Sequence, residues 1–259
     1  MRGVSPSLGA RLAWIRLQRQ GDTAVRVVDA LVHRGDTVVD VGANWGLYTW
    51  RLSWLIGPAG CVYAFEPDPV AVASVGKISH RKLTVYPIAL SDHSGEAKLH
   101  VPLYQGERIS ALASLTANDA NKEVTEEVLR VKVQRLDAII PEAGPAVTFI
   151  KCDVEGHELA VLRGAETILR RSRPALLVEV EQRNGGRVQD TIEYLTALDY
   201  DAYALHTDGL IPAAKFDLQR DQLAYLGDEF MPHDMPDGYI NDFLFVRSGS
   251  NVNPLLAPR

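Results

Sequence analysis

The chain has 259 residues, 46% hydrophobic and 23% charged, a profile that excludes a disordered or collagen-like polymer. Its 27 lysines and arginines against 33 aspartates and glutamates leave a formal charge of −6, the wrong sign for a non-specific phosphate-backbone binder, so no nucleic-acid partner is expected. The longest uncharged run, Leu52 to Phe65, is broken by Gly57, Pro58 and Gly60 and falls short of the about 18 residues a membrane-spanning helix needs, so no membrane span is expected.

In chain order, residues 1–35 are expected to form a helical cap on the same core as the rest. Val25, Val27, Val28, Leu31 and Val32 recur there at helical spacing, and Gly35 closes the helix. Arg2, Arg11, Arg16 and Arg19 interrupt any apolar stretch of the kind a secretory signal carries. Thr37 to Val41 is a strand, Gly46 to Ile56 a helix, Cys61 to Phe65 a second strand, Val70 to Ser79 a helix and Leu83 to Leu90 a third strand. After Ser91 the rhythm changes. Lys98 to Val101 and Leu129 to Val133 read as short edge strands flanking a polar stretch from Gln105 to Glu127, longer than ordinary connections and so a functional loop. Alternation resumes with a strand at Val147 to Cys152, a helix at Glu158 to Arg170, a strand at Ala175 to Val180, a helix at Arg187 to Leu198 and a strand at Asp201 to Leu205. Asp208-Gly209 is a hairpin signal, Lys215 to Gly238 is irregular, and Tyr239 to Val246 is the final strand. Residues 36–247 thus form one α/β domain, and 248–259 a frayed tail. Near-continuously apolar strands linked by helices predict a parallel sheet covered on both faces. Cys61 and Cys152 sit in apolar runs as small hydrophobes, and a reducing, cytoplasmic compartment is expected.

In a sheet of this kind ligands bind outside the carboxyl ends of the strands. The residues at those exits are Asp40-Val41-Gly42-Ala43-Asn44-Trp45-Gly46, Glu66-Pro67-Asp68, Ser91-Asp92, Asp153-Val154-Glu155-Gly156-His157-Glu158, and Glu179 with Glu181. Every exit carries an acid. Gly42 and Gly46 allow a tight turn, but there is no G-x-G-x-x-G, and Asp40 before the first glycine would repel a pyrophosphate. An acid there suits a cationic ligand without phosphate. S-adenosylmethionine, with its sulfonium and ammonium, is such a ligand, and Glu66 stands where a carboxylate accepts both ribose hydroxyls. A nicotinamide-dependent oxidoreductase and a non-catalytic binding protein on a similar sheet are the alternatives. There is no G-x-S-x-G elbow and no P-loop.

The run Val39-Asp40-Val41-Gly42-Ala43-Asn44-Trp45-Gly46-Leu47-Tyr48-Thr49 resembles the first motif of the FkbM-type S-adenosylmethionine-dependent methyltransferases. Val62 to Asp68 resembles their second, and Ala89-Leu90-Ser91-Asp92 with Gly95 their third. Ile150 to Glu158 with Leu162-Arg163-Gly164-Ala165 is similar to the fourth, and Pro174 to Val180 completes the series. The resemblance implies a class I, Rossmann-like methyltransferase fold in 36–247: a seven-stranded, mostly parallel sheet with an antiparallel last strand and helices on both faces. It implies S-adenosyl-L-methionine as cofactor and O-methylation of a hydroxyl on a sugar, glycolipid or secondary metabolite, so a small-molecule or glycan acceptor.

By the same resemblance, Asp40, Gly42, Asn44 and Gly46 shape the methionine and ribose end, Glu66 holds the ribose, and Ser91 or Asp92 faces the adenine amino group. For Asp92 a capped turn with Ser94 and Gly95 is the alternative. Asp153, at a strand tip, is counted among the cofactor-binding residues and is also the best-placed general base; His157, four residues on, and Glu179, on the adjacent tip, are further catalytic candidates. A Mg2+ ion held by Asp153 and Glu179 with Glu181 or Glu155 is an alternative that is not favoured, and no metal ligand is assigned. His33, His80, His93, His100 and His206 show no metal-like pairing. His233 and the 105–127 stretch are candidates for an acceptor lid, and Trp45 and Trp50 are expected in the core.

Overall fold

A computed structural model describes residues 6–115, 125–182, 185, 187–225 and 238–252. The chain opens with α1 (Pro6–Gln20) and α2 (Thr23–Leu31), the second started by Asp22, whose carboxylate accepts the Val25 N–H at 2.9 Å. Trp14, Val25 and Val28 share an apolar cluster with Val38, Phe149, Leu177 and Leu244, so these helices cover one face of the main sheet. Val252 is buried in the same cluster rather than frayed, while the rest of the expected tail, 253–259, lies outside the described residues.

The first half-sheet follows as β1 (Thr37–Val41), α3 (Leu47–Ile56), β2 (Cys61–Phe65), α4 (Pro69–Val75) and β3 (Leu83–Tyr86). β4 (Ala89–Leu90), β5 (Gly95–Tyr104), β6 (Glu107–Arg108) and β7 (Glu126–Gln134) form the excursion. The chain re-enters through α5 (Leu136–Ile139), β8 (Phe149–Cys152), α6 (Glu158–Arg163), α7 (Glu166–Ser172), β9 (Ala175–Glu179) and α8 (Val188–Thr196). It finishes with β10 (Tyr200–His206), β11 (Gly209–Pro212), α9 (Leu218–Asp221) and β12 (Asp242–Arg247).

The main sheet has the order β11-β10-β12-β9-β8-β1-β2-β3. β3, β2, β1, β8 and β9 run parallel, while β12 is antiparallel to both β9 and β10. The chain leaves β1 toward β2 and later returns on its other side at β8, so the reversal that opens a ligand crevice falls between β1 and β8. This is the expected class I fold with an eighth strand added, because Asp208-Gly209 folds Gly209–Pro212 back onto β10 as a hairpin.

Three local expectations are corrected. The third strand divides at Pro87, which has no N–H to continue the ladder, and β4 leaves the main sheet to pair with β7. The two short edge strands are instead one long antiparallel pair, β5 and β7, in a separate four-stranded sheet of order β4-β7-β5-β6. That sheet has its own apolar side, built on Leu99, Val101, Val131 and Val133. Finally, the helix expected from Glu158 to Arg170 breaks at Gly164, where a Cβ would stand 1.9 Å from the Ser91 carbonyl oxygen. That close approach packs the α6–α7 corner under the Ser91 turn.

Trp50, expected in the core, is half-buried and packs against it, while Trp45, also expected there, precedes α3 and is 50% exposed. Among the described residues no helix is long and apolar enough to cross a membrane.

Candidate active site

The carboxyl end of β1 runs into a turn whose shape glycine permits. Gly42 has φ 75°, and a Cβ on it would lie 1.7 Å from the carbonyl oxygen of Asp153, so the exits of β1 and β8 meet main chain against main chain. The turn's amides are used within the protein. Gly42 and Ala43 donate to the Phe65 carbonyl at 3.0 and 3.1 Å, Asn44 donates to Glu66 Oε2 at 2.7 Å, and Gly46 donates to Ala43 at 2.8 Å. A dinucleotide fingerprint would turn such amides toward a pyrophosphate. Here the turn offers acceptors instead.

Glu66 lines the resulting cleft, with Oε1 accepting the Asp68 N–H at 2.8 Å and Oε2 that of Asn44. Burial pushes its carboxyl up to about 7 despite those two hydrogen bonds. Each oxygen keeps a second lone pair. Asn44, left-handed at φ 46°, also lines the cleft, and its buried Oδ1 has no partner among the described residues. Asp40 is fully buried behind this wall rather than on it. Its Oδ2 accepts the Thr49 hydroxyl, its Oδ1 is unpartnered among the described residues, and burial raises its carboxyl. Gly46 likewise lies off the lining, its α-carbon packed toward Ile78.

The cleft is small and opens to solvent. Ile88, Ala89, Leu90 and Leu99 make one apolar wall; Asp153, Val154 and His157 stand on the lining as well, and Ser110, Ala111, Ala113 and Leu115 reach it from the excursion. Ser91 and Asp92 do not line it. Ser91 is buried with Oγ 2.8 Å from His157 Nε2, whereas exposed Asp92 pairs with His93 Nδ1 at 2.8 Å, a hydrogen bond that holds its carboxyl below the usual range. Asp92 Oδ1 is thus occupied by the turn's own His93. His157 is drawn down by burial, which favours the neutral imidazole.

A polar cluster spanning four neighbouring strands stands beside the cleft, and most of it was invisible in the sequence. Lys151 is 2% exposed, with Nζ 2.5 Å from Asp153 Oδ2 and 4.9 Å from the centre of the Tyr48 ring. In register, Asp40 faces Lys151 across β1 and β8, and Glu179 faces Asp242 across β9 and β12. Burial alone would pull the Lys151 ammonium down, but Asp153, Glu179 and Asp40 together hold it above its ordinary value. Burial, reinforced by Asp153 and Asp242, drives Glu179 well up; burial, with Asp22, raises Asp242 to about 7. Of these carboxyls, Asp153 is the one in direct contact with the ammonium. The signals for this cluster were a lysine inside the apolar run Ile150-Lys151-Cys152 and an Asn241-Asp242 pair opening the last strand.

The Mg2+ alternative does not fit this donor set. Asp153 is engaged by Lys151, while Glu179 and Glu181 accept from Asn241 Nδ2 at 2.7 and 3.1 Å. Among the described residues no three His, Cys, Asp or Glu side chains gather in a metal-holding group. His233 and residues 116–124, named for the acceptor lid, lie outside the described residues. An adenine nucleoside with a cationic tail, in contrast, suits an acceptor-lined crook, an apolar wall and the orphaned Asn44 Oδ1.

Residues 40–202 match the family model of the methyltransferase FkbM domain. The hexuronic acid methyltransferase AglP of Haloferax volcanii is 29% identical over 161 residues, 60% of this chain and 61% of AglP, so the chain matches less than two thirds of that relative's length. Among solved structures, a methyltransferase FkbM from Methylobacillus flagellatus KT aligns with a TM-score of 0.50 at 16% identity, over 94% of this chain and 55% of that one. Aeropyrum pernix fibrillarin, solved with natively bound S-adenosyl-L-methionine, aligns with a TM-score of 0.47 at 13% identity, over 87% of this chain and 76% of its own. The family match covers well over half the chain and takes in the β1 crook, Glu66, the Ser91 turn and Asp153: the chain belongs to the FkbM family of S-adenosylmethionine-dependent methyltransferases.

Proposed function

We propose that the protein transfers a methyl group from S-adenosylmethionine to a hydroxyl of a sugar or glycan acceptor. The carrying observation is Asp153, a carboxylate on the cleft lining fixed by the buried Lys151 ammonium. The likeness to a hexuronic acid methyltransferase supports a sugar over a glycolipid or other secondary-metabolite hydroxyl, and the net charge of −6 supports a small-molecule or glycan acceptor over nucleic acid. Cys61 and Cys152 are both free, which supports a cytoplasmic setting.

Bound S-adenosylmethionine supplies a methyl group on a sulfonium, already a good leaving group. The protein's tasks are alignment and proton removal. Glu66 would accept the ribose hydroxyls with the lone pairs its backbone donors leave free, and Ile88, Leu90 and Leu99, on the cleft lining, would enclose the base and exclude water. Asp153 would accept the proton of the acceptor hydroxyl, a contribution of about 10²–10⁴ in rate. His157, neutral and held by Ser91, stands on the same lining and orients the acceptor. Glu179, kept protonated by burial and its neighbours, is a hydrogen-bonding partner rather than a base.

The test is release of S-adenosylhomocysteine with hexuronic acids, neutral sugars, glycolipids and polyketide alcohols, with the product located by mass spectrometry. A base-stable methyl ether on a sugar is the expected product. A methyl group on nitrogen or carbon, a base-labile ester, or no turnover with any hydroxyl acceptor would refute the reading.

A further inference from the structure

The excursion between β4 and β7 reaches across the cleft as a short strap, residues 109–115, anchored on both sides. On one side Arg108 Nη2 donates to Asp68 Oδ1 at 2.9 Å, and Asp68 in turn gives its N–H to Glu66. On the other, the Ser114 hydroxyl donates to the Glu155 carbonyl at 2.5 Å, and Ser114 is bridged to His100 of β5 by paired backbone hydrogen bonds. The strap is therefore fixed to the exits of β2 and β8 and does not hang free.

Between these anchors sits Ser110. It is 8% exposed, it lines the cleft, and its Oγ is buried with no partner among the described residues. A buried hydroxyl without a partner is costly, and the folded chain accepts it here, on the lining of a cleft that also carries the orphaned Asn44 Oδ1. The remaining strap residues on the lining, Ala111, Ala113 and Leu115, are apolar and satisfy nothing. A hydroxyl both donates and accepts, so it matches an adenine nucleoside, which presents ring-nitrogen acceptors and amino or ribose hydroxyl donors. We propose that Ser110 is a binding residue for the nucleoside half of the methyl donor, its hydroxyl completed by that ligand. The inference rests on the reading of the cleft as the donor site, and it assigns the excursion a part in cofactor recognition.

The experiment uses the full chain and Ser110→Ala, with S-adenosylhomocysteine and adenosine titrated by calorimetry and the ligand-free proteins unfolded in urea. Loss of one neutral hydrogen bond weakens both ligands by about three- to tenfold. The ligand-free midpoint stays level or rises, because the alanine removes an unsatisfied buried group. Equal affinity of both proteins for S-adenosylhomocysteine would overturn the proposal, as would a loss confined to S-adenosylhomocysteine and absent with adenosine. A lower ligand-free midpoint would also overturn it, since the hydroxyl would then already be satisfied within the protein. Failure of the wild-type chain to bind S-adenosylhomocysteine at all would instead sink the donor-site reading itself.

Discussion

Glu66→Gln removes one titrating proton from the wall of the cleft while keeping the side chain's shape. In the folded chain burial holds that proton up to about pH 7, against an ordinary value of 4.5. Between those limits the native state binds more protons than the unfolded one, so wild-type stability falls as pH rises through this window and levels off above it. At about 1.4 kcal/mol per pH unit the full window is worth about 3 kcal/mol. The glutamine has a separate cost at every pH. Its amide offers one acceptor and one donor where the carboxylate accepted from both Asn44 and Asp68, and the N–H left unpaired costs about 1–3 kcal/mol. The slope of stability against pH, rather than stability at one pH, isolates the buried proton. Urea unfolding of the ligand-free protein at intervals from pH 5 to 8 measures it. Glu158 and Asp242, each raised to about 7 by burial, titrate in both proteins, so the variant keeps part of the fall and loses one proton's share. Parallel curves for wild type and variant would refute the reasoning.

Other outcomes follow from the same geometry. Gly42→Ala places a side chain at φ 75° and 1.7 Å from the Asp153 carbonyl oxygen, a main-chain atom that no rotamer change moves. The backbone conformation alone costs about 1–2 kcal/mol, so a loss above about 2 kcal/mol in urea unfolding is expected, together with weaker S-adenosylhomocysteine binding. Asp153→Asn is expected to lower kcat by about 10²-fold or more while leaving S-adenosylhomocysteine affinity within about twofold, read by steady-state kinetics and calorimetry. Lys151→Met removes the ammonium that fixes the Asp153 side chain and is expected to lower kcat, read by steady-state kinetics, with Lys151→Arg, which keeps the charge, losing less.

The β1 and β2 exits of the cleft were legible because their residues are local in sequence. Asp40 to Gly46 and Glu66 to Asp68 are each one turn, and the side chains that matter lie within a few residues of the glycine or strand end that aims them. Position on the exit was readable, but depth was not. Asp40 faces inward to Thr49 and Lys151, because odd and even residues of a strand address opposite faces and the covering helix α3 decides which is wet. Lys151, Glu179 and Asp242 become one cluster only when β1, β8, β9 and β12 are set in register, and β12 is far away in the chain. The excursion showed its alternation in Leu129 to Val133, yet its pairing away from the main sheet turned on Pro87, hidden inside an apolar run. Ser110 carried no signal, since an ordinary serine becomes informative only by losing its water. Asp92 stands at a strand exit as its sequence position suggested, off the cleft lining and bonded to His93 next to it.

The central claim is that the crook after β1 and the Glu66 wall form a site for a phosphate-free cationic nucleoside donor. Titrating the full chain at pH 8 with S-adenosylhomocysteine and, separately, with NAD tests it most directly. Saturable binding of S-adenosylhomocysteine that weakens on acidification through about pH 7, as Glu66 takes up its proton, with no heat from NAD, is the predicted result. Tight binding of NAD, or no binding of S-adenosylhomocysteine at any pH, would contradict it.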